Sequence, residues 1–191
     1  MPREKSPPQG NYSFNQLNTV DYHDLVMKAP MGIFTSVPEG YYLSANPAMA
    51  QMFGYETPEE MIDNVKDISR QIYPDPRDNR QQLIELLDRQ EEVSGYECQG
   101  IRRDGSVFWA SLTAWVVRNK DQAIAYYQGF VSDITERKWE EELARMRLRL
   151  IDYAADHTLD ELLTKALDEI GSFMASPIGF YHFVHPDQKT L

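Results

Sequence analysis

One thiol, four imidazoles and a run of phenols and indoles are the groups in this sequence whose chemistry reaches beyond packing. Cys98 is the single cysteine in 191 residues. It can close no disulfide within the chain and build no multi-cysteine zinc or iron–sulfur site, and it fits a reducing compartment. His23, His157, His182 and His185 are too scattered to complete a metal cluster. Asp24, Glu39 and Glu140-Glu141-Glu142 read as solvated faces and not as a general acid and base. No glycine-rich phosphate loop and no nucleophile elbow is present. There remain Tyr96, Cys98, Trp109, Trp115, Tyr126 and Tyr127, which stand on strand-like segments. Alternation sends Tyr96 and Cys98 to the same face and Tyr126 and Tyr127 to opposite faces. Such side chains line a pocket for a small organic molecule, fill a core, or cover a sheet in an interface, and all three uses stay open on residue type alone.

Bulk properties narrow the classes. Thirty acidic against nineteen basic residues give a formal net charge of −11, which opposes binding to nucleic acid or to an anionic membrane surface. No apolar run approaches the roughly 18 residues that span a bilayer, and Met1-Pro2-Arg3-Glu4-Lys5 lacks the apolar stretch of a signal peptide. The expectation is a cytoplasmic segment without membrane insertion. The length suits one full domain and a shorter remainder.

The elements that must position these groups follow from periodicity and caps. Residues 1–20 are a polar, proline-containing tail with too little apolar surface to offset the entropy of ordering. A short helix around Tyr22–Val26 stops at Ala29-Pro30. Strands Met31–Val37 and Tyr41–Ala45 flank the turn Pro38-Glu39-Gly40. Met49, Met52 and Phe53 then recur at helical spacing until Gly54. Thr57-Pro58-Glu59-Glu60 is a capping box, and Asp75-Pro76 opens a helix through Arg89 with Leu83, Ile84, Leu86 and Leu87 as its stripe. Strands Tyr96–Arg102 and Val107–Val117 are joined through Asp104-Gly105, and a third strand covers Ala123–Ile134. Short turns forbid parallel crossovers, so the fold class is α+β, a five-stranded antiparallel sheet with short helices on one face. A long helix follows, in which Trp139, Leu143, Met146, Leu150 and Tyr153 step by four and three as a heptad seam does. Thr158-Leu159-Asp160-Glu161 caps another helix reaching about Ala175, and Phe180–Val184 reads as a strand.

Tyr96–Trp109, with its Gly100-Ile101-Arg102-Arg103-Asp104-Gly105-Ser106 turn, and Gly129-Phe130-Val131-Ser132-Asp133-Ile134-Thr135-Glu136-Arg137-Lys138 resemble the C-terminal half of a PAS domain. Ala29-Pro30-Met31-Gly32-Ile33, Ala45-Asn46-Pro47-Ala48 and Met52-Phe53-Gly54-Tyr55 match its first half. The resemblance spans residues 21–136. Residues 158–191, with Ser176-Pro177-Ile178-Gly179-Phe180-Tyr181-His182-Phe183, resemble the start of a GAF domain, here truncated, as in bacterial and archaeal sensor histidine kinases. Residues 137–157 form the helical, coiled-coil linker between the two.

The resemblance implies a sensory and dimerisation module of a signal-transduction protein, most similar to a sensor histidine kinase of a two-component phosphorelay. Its partners would be a second copy and downstream signalling domains, with catalytic parts outside this chain and no enzyme activity within it. The alternatives are a pure interaction module without ligand, or the sensor of a diguanylate cyclase or transcriptional regulator. Some PAS domains hold haem or flavin. Residues 24–156 contain no histidine for haem, and Cys98 stands on a strand and not in the helical Asn-Cys-Arg motif of flavin photochemistry. No cofactor and no metal is therefore expected, while a small organic ligand would lie among Ile33, Phe53, Tyr96, Cys98, Leu112 and Tyr127. Signal relay would run through Asp133, Ile134 and Thr135 into Trp139, Leu143, Met146 and Leu150, Asp133 capping the new helix. A plain cap without switching is the alternative. His157 does not stand in a phosphoacceptor motif.

Overall fold

The computed structural model describes residues 19–75 and 80–174. The chain divides into two compact units, Met1–Thr135 and Glu136–Leu191. In the first, α1 (Thr19–Lys28) precedes β1 (Gly32–Ser36) and β2 (Tyr42–Ala45). Four helices follow, α2 (Pro47–Met52), α3 (Pro58–Asn64), α4 (Ile68–Gln71) and α5 (Gln81–Gln90), and then β3 (Glu92–Ile101), β4 (Val107–Arg118) and β5 (Ile124–Asp133).

The strands form a single antiparallel sheet in the order β2-β1-β5-β4-β3, the α+β architecture expected. Along β4, Phe108, Ala110, Leu112 and Ala114 are buried while Trp109, Ser111, Thr113 and Trp115 stay half-buried on the other face. The buried set packs with Met49 and Ala50 of α2, Met61 of α3, Ile68 of α4, and Leu83 and Leu87 of α5 in one core. Gly129 sits at the centre of this sheet, where a Cβ would run into the Thr113 carbonyl oxygen and lie 3.0 Å from the Phe34 ring.

Local chemistry explains most boundaries. Asn46 is the N-cap of α2 and is buried. Its Oδ1 accepts from the Met49 and Ile33 amides at 3.0 and 2.9 Å, and its Nδ2 donates to the Val26 and Met31 carbonyls at 2.9 and 3.0 Å. One side chain thus splices α1, β1 and α2. Gly54 takes φ +81° after α2. Thr57 accepts from the Glu60 amide as its box requires, but the Glu60 carboxylate reaches back to the Glu56 amide, one residue beyond the cap.

Three departures from expectation have physical reasons. α4 was not foreseen: it is a single turn held by Asp67, whose carboxylate accepts from the Ser69 and Arg70 amides, and one turn is too short to show a period. α5 begins at Gln81 without a side-chain cap; residues 76–79, where the Asp75-Pro76 start was expected, lie outside the described residues. β3 starts at Glu92 and not at Tyr96, because Gly95 at φ +66° lies within a register irregularity between Val93 and Tyr96 that lets the ladder continue past it.

The second unit contains α6, which spans Thr135–Ala154 from the last residue of the first unit, and α7 (Leu159–Phe173). The Thr158–Glu161 capping box is reciprocal, and Arg149 ties the two helices through Glu169 at 2.7 Å. The expected strand Phe180–Val184 and most of the expected 1–20 tail lie outside the described residues. Among the described residues no helix is long and apolar enough to cross a membrane.

Candidate functional site

The face between sheet and helices encloses a cavity of about 20 Å³, lined by inward side chains of β1, β3 and β4 together with Tyr42, Tyr73, Arg80 and α2. Phe53, Cys98 and Leu112 of the expected pocket meet there. Tyr127 is buried on the same sheet face, with the Arg80 guanidinium 5.9 Å from its ring centroid, but it does not line the cavity. Tyr96 is half-buried at the edge of the core. Ile33 does not join them. In β1 the buried positions are Gly32, Phe34 and Ser36, so Ile33 faces away from the helices and Phe34 takes the inward place.

The polar groups at the cavity are donors. Burial pushes the Tyr42 and Tyr73 phenols above their ordinary range, although Arg80 acts against it on both and hydrogen-bonds Tyr73. Burial pushes the Cys98 thiol up to about 11. At neutral pH the lining therefore presents neutral phenols, a neutral thiol and one guanidinium, with no carboxylate among the lining residues. It can donate hydrogen bonds to an acceptor but holds no base and no thiolate nucleophile. A volume of this size takes about one water. No group of acidic, histidine or cysteine side chains suited to a metal ion occurs among the described residues.

A second constellation joins this core to the end of β5. Phe53 and Phe108 meet edge to face at 5.2 Å, and the Arg102 guanidinium lies 4.2 Å from the centroid of the Phe108 ring. Arg102 also donates to the Met52 carbonyl at the end of α2 and to the Asp133 carboxylate at 2.6 Å. The other Asp133 oxygen accepts from the Thr135 amide at 2.9 Å. Trp109 completes the junction: its amide donates to Thr135 Oγ1 at 3.0 Å and its carbonyl accepts from the Ile134 amide at 2.8 Å. Burial opposes the Asp133 charge, but hydrogen bonds from Thr135 and Arg102 outweigh it and hold the carboxyl below its usual range. Asp133, Ile134 and Thr135 are thus one hydrogen-bonded unit. In the second unit Met146 is buried, Leu150 half-buried, and Trp139 and Leu143 exposed.

A family model described as PAS domain matches residues 30–136. The chain belongs to the PAS family. The PAS domain is 28% identical over 119 residues to "Probable diguanylate cyclase DgcE" of Escherichia coli, covering 61% of this chain and 10% of that protein. It is 30% identical over 112 residues to the methyl sulfide methyltransferase-associated sensor of Methanosarcina acetivorans, covering 58% and 11%. It is 25% identical to the bacterioopsin transcriptional activator of Halobacterium salinarum, covering 58% and 16%. The chain therefore spans only 10% to 16% of the curated relatives it matches. Among solved structures, the PAS domain of a Colwellia psychrerythraea protein superposes with a TM-score of 0.53 at 17% identity, covering 61% of this chain and 97% of that one. A sensory box histidine kinase/response regulator from Burkholderia thailandensis gives 0.52 at 22%, covering 69% and 98%. These structures establish the fold.

PAS domains that hold a flavin need room for its ring system, and ligand pockets generally occupy about 300–1,000 Å³. The cavity here does not fit one, and Cys98 stands on β3. Sequence reasoning missed Arg102, Arg80, Tyr42 and Tyr73. Arg102 precedes a turn and reads as a surface charge, and no periodicity links it to Met52 or Asp133. The inward phase of Tyr42 was readable only once its pairing with Ser36 was known.

Proposed function

We propose that this PAS domain is the sensory and dimerisation module of a signalling protein, and that it relays a change at its core to the start of α6 through Arg102, Asp133 and Thr135. The observation that carries the proposal is the position of Arg102. One guanidinium is bonded to the end of α2, stacked on a core ring that touches a cavity-lining ring, and paired with the carboxylate that holds the first amide of α6. A displacement of α2 or Phe108 that breaks the pairing frees Asp133, and with it the first amide of α6. The signal is either a partner or a small ligand bearing acceptor oxygens, since the cavity presents donors, and a ligand larger than water has to open the helical face.

The output we assign, from the resemblance of residues 158–191 to a GAF start, is a histidine kinase of a two-component phosphorelay. The relatives favour a second reading, in which the same module feeds a diguanylate cyclase or a transcriptional regulator, because these occur on related chains. Fold alone does not choose among outputs.

The test places Arg102→Ala and Asp133→Asn in the full-length protein and measures ATP-dependent autophosphorylation and cyclic dinucleotide synthesis. The proposal expects either variant to shift basal output and blunt its response to the stimulus. Output unchanged in both, with folding intact, refutes the relay. Cyclase activity without phosphorylation replaces the kinase reading by the second one.

A further inference from the structure

Beside the turn that joins β3 to β4 lies a second space, outside the core and much larger than the cavity in it. This groove has a volume of about 370 Å³, which is in the range of ligand pockets, and it is lined by Tyr55, Asn64, Arg70, Gln71, Arg102 and Arg103 among others. Its walls are tied together through the backbone. The Arg103 amide donates to the Phe53 carbonyl at 3.0 Å, and the Ile101 amide donates to the Ile72 carbonyl at 2.8 Å. Gln71 donates to the Asn64 carbonyl at 3.0 Å while its own oxygen holds the Lys66 and Asp67 amides. The chain carries a net charge of −11, yet three guanidinium groups line this groove and none of its described lining residues is acidic. Their carboxylate partners stand outside it: Asp133 at 2.6 Å from Arg102, Glu60 at 2.5 Å from Arg103 and Asp67 at 3.4 Å from Arg70. Each carboxylate is also held by a backbone amide, from Thr135, Glu56 and Ser69 respectively, so the acids are anchored away from the groove. A guanidinium has five N–H donors, and each arginine keeps donors beyond these contacts. Arg103 is further steadied over the buried Tyr55 ring, 5.4 Å from its centroid.

We propose that this groove binds a phosphoryl dianion, free or carried by a small metabolite, through Arg70, Arg102 and Arg103. A carboxylate has two oxygens, which one guanidinium fork satisfies, and each of these arginines already has a carboxylate of its own. Three guanidinium groups brought together from α4 and the β3–β4 turn suit a group with more oxygens and nearly two charges. The net charge of the chain opposes a nucleic acid as the source, and the volume suits a small molecule. Arg102 gives the site a consequence. The guanidinium that would hold the anion is the one that holds Asp133, so anion and carboxylate compete for it, and the groove is an input to the relay that bypasses the core. That consequence rests on the relay proposed above; the binding itself does not.

Calorimetry on the full-length protein tests both, at low ionic strength, where exposed charges are least screened, and at about pH 8, where phosphate is a dianion. The probes are inorganic phosphate, adenosine monophosphate and acetate. The variants are Arg70→Ala, Arg103→Ala and Asp133→Asn, with Lys120→Ala and Asp121→Asn in the turn at the opposite end of β4 as charge-matched controls. Circular dichroism checks that each keeps its fold. Saturable binding of the phosphates and none of acetate is expected. Arg70→Ala and Arg103→Ala should each weaken it about tenfold, and Lys120→Ala should leave it unchanged. Adenosine monophosphate binding more tightly than phosphate assigns the site to a metabolite, and equal affinities assign it to phosphate itself. No binding of either phosphate, acetate binding as tightly, or an equal loss in Lys120→Ala overturns the site. Asp133→Asn should tighten binding about threefold while Asp121→Asn does not, since removing the competing carboxylate and binding the anion are reciprocal. Phosphate binding that needs Arg70 and Arg103 but ignores Asp133→Asn overturns the link to the relay and leaves the site standing.

Discussion

Replacing Arg102 tests whether the junction between core and helix is energetically one unit. Its pair with Asp133 is 2.6 Å long, with 27% and 34% of the two side chains exposed, so solvent screening limits it to about 1 kcal/mol. The bond to the Met52 carbonyl adds about 1.5 kcal/mol, as charged donors do when partly buried. Stacking on Phe108 adds roughly 0.5–1 kcal/mol. Arg102→Ala is expected to cost roughly 3 kcal/mol. Asp133→Asn keeps an oxygen for the Thr135 amide and should cost only about 1 kcal/mol. The double variant should cost less than the sum by about 1 kcal/mol, the coupling of two groups in contact. Urea titration followed by tryptophan fluorescence at pH 7 measures all three. The pH dependence has a definite sign. The Asp133 carboxyl is lowered in the folded protein, so the stabilisation is complete above its unfolded value near 3.9 and disappears as pH falls through the lower folded value. A coupling indistinguishable from zero at pH 7, or an Arg102→Ala cost no greater than that of Asp133→Asn, would mean that Arg102 does not tie Asp133 to the core.

Gly129→Ala drives a methyl into the Thr113 carbonyl and to 3.1 Å from the Ala114 Cα, on a strand paired on both sides. The expected loss is roughly 3 kcal/mol in denaturant titration, and a loss under about 1 kcal/mol means that the strands spread freely. Ser36→Ala removes a buried hydroxyl with no hydrogen-bond partner among the described residues. It should raise the thermal midpoint, by about 1 kcal/mol in stability, and a lowered midpoint reveals a partner. Cys98 holds its proton to about 11 when folded, against about 8.5 when unfolded. At pH 8 about one thiol in a thousand is thiolate, so a disulfide reagent should label only the denatured chain. The unfolded chain loses this proton first as pH rises, so Cys98 subtracts from stability between those two values; rapid labelling of the native protein at pH 8 contradicts the buried placement.

What was legible in the sequence was local. Asn46-Pro47, Thr57-Pro58 and the Thr158 box declare helix starts because the cap and the amides it satisfies lie within four residues. Asp104-Gly105 declares a turn for the same reason. Strand phase was less legible. β1 is five residues long, and inward or outward assignment of Ile33 against Phe34 depends on pairing with β5, which the intervening chain separates in sequence. Arg102 was not legible at all, since Met52 and Asp133 stand 50 and 31 positions away. Asp133 was legible as a cap of the new helix and Thr135 through the resemblance, while the arginine that hydrogen-bonds Asp133 has no local signature. The heptad on α6 was visible as a period, but a period identifies an apolar edge and not what covers it.

The pairing of β1 with β5 has a mechanical consequence. Gly32, at the start of β1, lies opposite Val131, near the end of β5, so the chain arrives and departs at the same end of the sheet on hydrogen-bonded neighbours. Tension applied through the flanking segments would load that ladder one rung at a time, from Gly32–Val131 inward, and would not shear all its rungs together. Peeling in this way requires far less force than shear. The PAS domain would behave as a compliant link under stretch, opening first at the junction that Arg102 and Asp133 hold closed.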